Sequence, residues 1–152
     1  MITVDEFVER LCKICGDPGA RPLPRARRDR EILMQSILMS LDSARSYDEA
    51  ELNELLRTWL REIAPAIESD HVTLRRMLVD YGRLERTASG SAYRVGFPPR
   101  ATAFELAIYD LDLRGTITAY RERSAARRRT RGAAAGTSHS AKPKGAEPEA
   151  ES

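Results

Sequence analysis

Asp70-His71-Val72-Thr73-Leu74-Arg75-Arg76-Met77-Leu78-Val79-Asp80-Tyr81-Gly82-Arg83-Leu84-Glu85-Arg86 is the stretch that decides the fold. Asp70 has the short acceptor side chain that satisfies free N–H groups at a helix start. Leu74, Met77, Leu78 and Tyr81 recur on one helical face, which predicts a helix over 71–81. Gly82 stands where a left-handed helix end is wanted. Leu84-Glu85-Arg86-Thr87 and Ala92-Tyr93-Arg94-Val95 then read as two strands joined through Ala88-Ser89-Gly90-Ser91.

Two more helices precede this unit. One is predicted over about 26–41, where Leu33, Ile37 and Leu41 form a stripe that Met34 and Leu38 widen. Asp42-Ser43-Ala44-Arg45-Ser46 is a turn leading to Tyr47. The next helix, about 48–63, opens with Asp48, Glu49 and Glu51 at the positive end of its dipole, and buries Leu52, Leu55, Leu56, Trp59 and Leu60. Pro65, Glu68 and Asp70 mark its end. Three helices followed directly by a hairpin is the winged helix-turn-helix order, with Tyr47 placed to add a short third strand. The fold class is therefore mainly α with a small β-hairpin, carrying an N-terminal helix and a C-terminal helical extension.

Working outward, residues 3–15 form a short amphipathic helix with Thr3 and Glu6 at capping-box spacing, stopped by Gly16-Asp17-Pro18-Gly19. Arg21-Pro22-Leu23-Pro24-Arg25 is extended, because proline disfavours helix at the residue before it. Pro98-Pro99 closes the central domain. Residues 101–113 (Phe104, Leu106, Ile108, Leu111, Leu113) are apolar enough either to cover the core or to join two copies as a homodimer. Gly115 breaks the chain, and an arginine-rich helix follows from Thr116 to about Arg128. From Gly132 onward no apolar side chain larger than alanine occurs, so that tail cannot offset its ordering entropy. The organisation is a helix and turn at 1–20, a winged-helix domain at 21–97, an arginine-rich extension at 98–131 and a disordered tail at 132–152.

The net charge of +2 hides an asymmetry. Residues 1–97 carry 15 basic and 16 acidic side chains, whereas 98–152 carry 10 and 7. Attraction to phosphate is thus concentrated after the predicted core. No apolar run is long enough to span a membrane. The start, Met1-Ile2-Thr3-Val4-Asp5-Glu6, lacks the basic and apolar regions of a signal peptide, and the expected location is cytoplasmic.

The run from Thr73 to Arg86 resembles the bacterial family catalogued as Domain of Unknown Function 2087. The likeness begins at Arg21-Pro22-Leu23-Pro24-Arg25, continues through Tyr47 and Glu51-Leu52-Asn53-Glu54-Leu55-Leu56, and is strongest from Asp70-His71 to Tyr93-Arg94. Arg61 to Ser69 makes a longer link before the third helix than the family pattern has. The resemblance implies a small winged-helix-like domain, often found with ArsR-type transcriptional regulators. It carries no settled activity.

In a helix-turn-helix derivative the third helix enters the major groove. With Leu74, Leu78 and Tyr81 facing the core, Val72, Thr73, Arg76 and Asp80 turn outward and Arg75 lies on the flank. Arg76 is the candidate for base or phosphate contact, since its fork matches guanine O6 and N7. Thr73 and Arg75 are candidates for phosphate, and Arg86 and Arg94 of the wing for the adjacent backbone. Arg127, Arg128 and Arg129 add a polyanion patch, whose plainer reading is a solvated helix end. The plainer reading of all of these is ordinary surface charge, favoured by the near-neutral core and by Asp80 facing the DNA. His71 lies near the core side of its helix and reads as structural, and Asn53 as a locally hydrogen-bonded, partly buried amide.

Cys12 and Cys15 share a helix face. They are half of a structural zinc set, with no second pair in the chain, and they close a helix rather than opening one, which does not favour a reactive thiolate. Small hydrophobes is the better reading. No cofactor is expected. No P-loop, GxGxxG, GxSxG or HExxH is present, so no enzymatic site is advertised. The expected function is a DNA-binding transcriptional regulator. The alternative is a winged-helix protein-interaction module serving a regulatory partner without touching DNA.

Overall fold

Thr3 accepts the Glu6 backbone N–H through its hydroxyl at 3.2 Å, and α1 (Val4–Gly16) begins there. The other half of the expected capping box does not form. The Glu6 carboxylate is taken by Arg28 and, at 3.1 Å, by Arg10. Val4 N–H instead donates to Glu105 at 2.8 Å, a hundred residues away in sequence. The computed structural model describes residues 1–139, with side chains to 133.

Arg21 pairs with Ile67 in a short parallel bridge, through N–H to Ala66 O at 2.9 Å and Glu68 N–H to Arg21 O at 2.7 Å. Its side chain also donates to the Asp17 and Pro18 carbonyls just past the end of α1. The long link at 61–69 is thereby fastened to the extended segment predicted at 21–25.

Next comes α2 (Arg27–Leu38). It stops short of Leu41 because Ser40 and Leu41 N–H turn back onto the Ile37 and Leu38 carbonyls in a tighter turn. β1 (Tyr47–Asp48) follows, and Asp48 is also the N-cap of α3 (Glu49–Glu62), with both bonds of a capping box. α4 (His71–Asp80) starts on Asp70, whose carboxylate accepts Thr73 N–H at 2.7 Å. At its other end Arg83 N–H reaches Leu78 O at 2.8 Å and Gly82 N–H reaches Val79 O at 3.0 Å. That pair of bonds needs a left-handed residue between them, and Gly82 has φ +72°.

β2 (Leu84–Arg86) and β3 (Ala92–Val95) form the hairpin, and β1 pairs with the free edge of β3. The sheet order is β1-β3-β2, all antiparallel, with Tyr93 opposite both Tyr47 and Arg86. The protein is thus mainly helical with a small three-stranded sheet.

The core runs through α1, α2, α3, α4 and the sheet. Leu74 and Leu78 are fully buried, each burial contributing roughly 1.5–3 kcal/mol. The chain after the hairpin contributes Phe104, Ile108 and Ile117. Ile2 pairs in parallel with Phe104, and Phe7 meets the Phe104 ring edge-on at 6.1 Å. Segment 101–113 therefore covers the core, with a 3₁₀ turn at Leu106–Asp110.

Gly115 does not interrupt the chain. It sits in the first turn of α5 (Leu113–His139), where the Asp112 carboxylate accepts its N–H at 3.1 Å and relieves the helix start. The helix passes Gly132, where the sequence predicted its order to be lost, and reaches His139. Alanines at 133–135 are strong helix formers. The rest of the predicted tail, 140–152, lies outside the described residues. Residues 1–121 gather into one compact unit and Glu122 onward belongs to a second. Among the described residues no helix is long and apolar enough to cross a membrane.

Candidate nucleic-acid interface

α4 and the hairpin lie side by side because only three residues, 81–83, separate α4 from β2. A shallow recess of about 180 Å³ forms between them, lined by Val72, Arg75, Arg76, Val79, Arg86 and Tyr93 together with Asp80. Three of the predicted contact residues, Arg75, Arg76 and Arg86, are thus brought to one place. The buried Tyr93 ring stands between them, with the Arg75 guanidinium 5.9 Å and the Arg86 guanidinium 5.8 Å from its centre.

The arginines differ in how far they are already engaged. Arg75 is mostly buried (17% exposed), pairs with Glu49 at 3.1 Å and donates to the Asn53 amide oxygen. Its charge is already paired with Glu49, and a phosphate would have to compete with that pair for it. Asn53 is half-buried as expected, but its partner is Arg75 on α4, 22 residues along the chain, rather than a local group. Arg94 does not line the recess and pairs with Glu85 at 3.0 Å. Arg86 is exposed and donates from Nε to the Gly90 carbonyl at 3.3 Å, which holds the hairpin turn. Arg76 is exposed, with no ion pair or hydrogen bond among the described residues.

Thr73 is exposed but committed to the helix start. Its backbone N–H, and after it its hydroxyl, hold the Asp70 carboxyl below the usual carboxylate range. Asp80 is exposed at the rim of the recess, beside Arg76. Arg127, Arg128 and Arg129 are exposed on α5, in the second unit.

Sequence reasoning missed Arg57. It reaches the His71 ring at 3.4 Å and Glu54 at 3.6 Å, beside the first turn of α4. The signal was present: Glu49, Asn53 and Arg57 repeat every four residues, one stripe of α3 facing α4. His71 is half-buried beneath that arginine.

Cys12 and Cys15 are buried in the core (2% and 1% exposed). Burial pushes the Cys15 thiol up to about 12. Among the described residues no three His, Cys, Asp or Glu side chains converge as a metal site. A protonated, enclosed thiol is a poor nucleophile and a poor ligand.

Residues 21–95 match the family described as "Uncharacterized protein conserved in bacteria (DUF2087)". No curated protein and no solved structure matches the chain. The matched residues run from the bridge at Arg21 to the last residue of β3, the span that holds α2, α3, α4 and the sheet. That span, just under half of the chain, is where its likeness to the bacterial family DUF2087 lies.

Proposed function

We propose that this chain is a DNA-binding transcriptional regulator of the winged-helix type. The element sequence α2-β1-α3-α4-β2-β3 with sheet order β1-β3-β2 supports this reading. α4 serves as the groove-entering helix and the β2–β3 hairpin as the wing. The observation that carries the reading is the meeting of Arg76 and Arg86 across the Tyr93 recess, one from the helix and one from the hairpin. Arg76 is the uncommitted fork for base edges, Arg86 the wing's contact with the backbone, and Arg127 to Arg129 supply sequence-independent attraction.

A second reading has its own support. Glu49 neutralises Arg75 and Glu85 neutralises Arg94, so the face is less cationic than its arginine content suggests. A nearly neutral face around an exposed Val72 (39% exposed) suits a protein partner. Selection from a pool of randomised DNA duplexes separates the two. The DNA reading expects an enriched sequence that the Arg76→Ala variant fails to enrich. A pool that stays random with the unaltered chain leaves the protein-interaction reading.

A further inference from the structure

Away from the α4 face, a recess of about 300 Å³ opens where the end of α2, the root of the hairpin and residues 96–109 meet. Its walls include Leu38, Phe97, Phe104 and Tyr109. At its base lie two buried polar side chains, Gln35 and Arg83 (4% and 7% exposed). Arg83 donates from Nη2 to the Gln35 amide oxygen at 2.6 Å and from Nη1 to Glu31 at 3.3 Å. These two bonds use only part of its fork of donors. Burial lowers the pKa of the guanidinium, and Glu31 and Tyr109 oppose that shift only in part. A charge held this deep is costly unless its partners are complete.

The surroundings point to the sign of what would complete them. Across the strap Pro98 to Ala101 lies a second recess of about 590 Å³, which shares Arg83 and is edged by Arg27, Arg30 and Arg100. Four arginines face one acid, Glu31, around the strap. Arg30 stacks on Tyr81 at 4.2 Å, and its Nε is buried with no hydrogen-bond partner. Phe97, which lines the first recess, is a large apolar side chain left 79% exposed. Apolar walls with a few convergent polar groups at this size are the usual make-up of a small-molecule site.

We propose that this recess binds a small organic carboxylate, its apolar body against Leu38, Phe97, Phe104 and Tyr109 and its carboxylate toward Arg83. The apolar walls exclude a bare inorganic anion as the best ligand, and Arg83, the charged side chain that lines this recess, excludes a cation. The carboxylate supplies the acceptors that Glu31 and Gln35 leave unmade, in a partly dry site where charge-assisted bonds are strong. The site is separate from the α4 face and does not depend on the proposed DNA binding.

The test uses ¹⁵N-labelled full chain titrated with matched pairs: phenylacetate and phenylacetamide, benzoate and benzamide, hexanoate and hexanamide, with inorganic phosphate as a further arm. The expected result is saturable shifts at the Arg83, Gly96 and Phe97 amides with at least one carboxylate, its amide and phosphate binding about tenfold weaker or less. Phe97→Ala should weaken that carboxylate while leaving the rest of the spectrum in place, and Arg83→Gln should abolish the preference for the charged member. Should Arg83→Gln unfold the chain, the matched pairs and the Phe97 variant still decide. The proposal is overturned if no carboxylate shifts these amides, if the amides or phosphate bind equally well, or if Phe97→Ala leaves affinity unchanged.

Discussion

The Arg75 guanidinium lies over the Tyr93 ring, 5.9 Å from its centre, while also holding Glu49 and Asn53 of α3. One side chain thus ties α4 to α3 and to the sheet, and fixes the angle at which α4 stands. Arg75→Ala should therefore lower the unfolding free energy by about 1–3 kcal/mol, because it strands partly buried acceptors. Arg76→Ala, next to it but exposed, should stay within about 0.5 kcal/mol. Urea denaturation of the two variants checks this, and equal stabilities would remove Arg75 from the role of brace.

Cys15 makes a prediction about pH. Its folded pKa, about 12, lies above the ordinary thiol value of 9.0. The folded state thus favours the neutral thiol, so this stabilisation is complete below pH 9 and is lost as pH rises toward 12. Alkylation by iodoacetamide at pH 8 should be slow in the native protein and fast in urea. Rapid native labelling of Cys15 would show that the site opens far more readily than its packing implies.

Gly96 closes the root of the hairpin. A Cβ there would run into the Gly82 carbonyl, at the turn that ends α4. Gly96→Ala should cost about 1–3 kcal/mol by overpacking and should disturb the amides of Gly82 and Arg83 first. A variant as stable as the parent, with those resonances unmoved, would mean the two turns are not in contact in solution.

Arg121 donates from Nη2 to the Cys15 carbonyl at 2.9 Å and the Ile63 carbonyl at 2.8 Å. It places a cation at the C-terminal ends of α1 and α3, the end a helix dipole makes negative. Arg121→Met, which keeps the stem, should release the start of α5 from these helices and cost roughly 1.5–3 kcal/mol. Hydrogen exchange at residues 113–121 should speed up. Unchanged protection there would assign the docking to Ile117 and Tyr120 alone.

Much of the fold was legible because its signals are local. Asp48, Asp70 and Gly82 act within three or four residues of themselves, and each sits where its helix starts or stops. Leu74 and Leu78 face the core as their spacing dictated. The parts that were not legible depend on partners far along the chain. Nothing near Arg75 in sequence signals that Glu49 and Asn53 will consume its charge. Nothing near Arg83 signals that it will be buried against Glu31 and Gln35. The reach of Glu105 back to Val4, and of Arg121 to two helix ends, likewise belongs to tertiary packing. For the candidate interface, periodicity could turn Leu74 and Leu78 inward and Arg76 outward, but it also turned the exposed Tyr81 inward and could not separate Arg75 and Arg94, which hold ion pairs, from Arg76, which holds none among the described residues.

The most direct test of the DNA-binding account is the affinity of the full chain for a DNA duplex measured across salt concentrations. The account predicts binding that weakens with salt, a slope that flattens by about 1 in Arg76→Ala and in Arg86→Ala, and a sequence preference that Arg76→Ala relaxes. The combined change Arg127→Ala, Arg128→Ala and Arg129→Ala should weaken binding to all sequences alike. The account is contradicted if that triple change abolishes all binding while Arg76→Ala and Arg86→Ala leave both slope and preference unaltered.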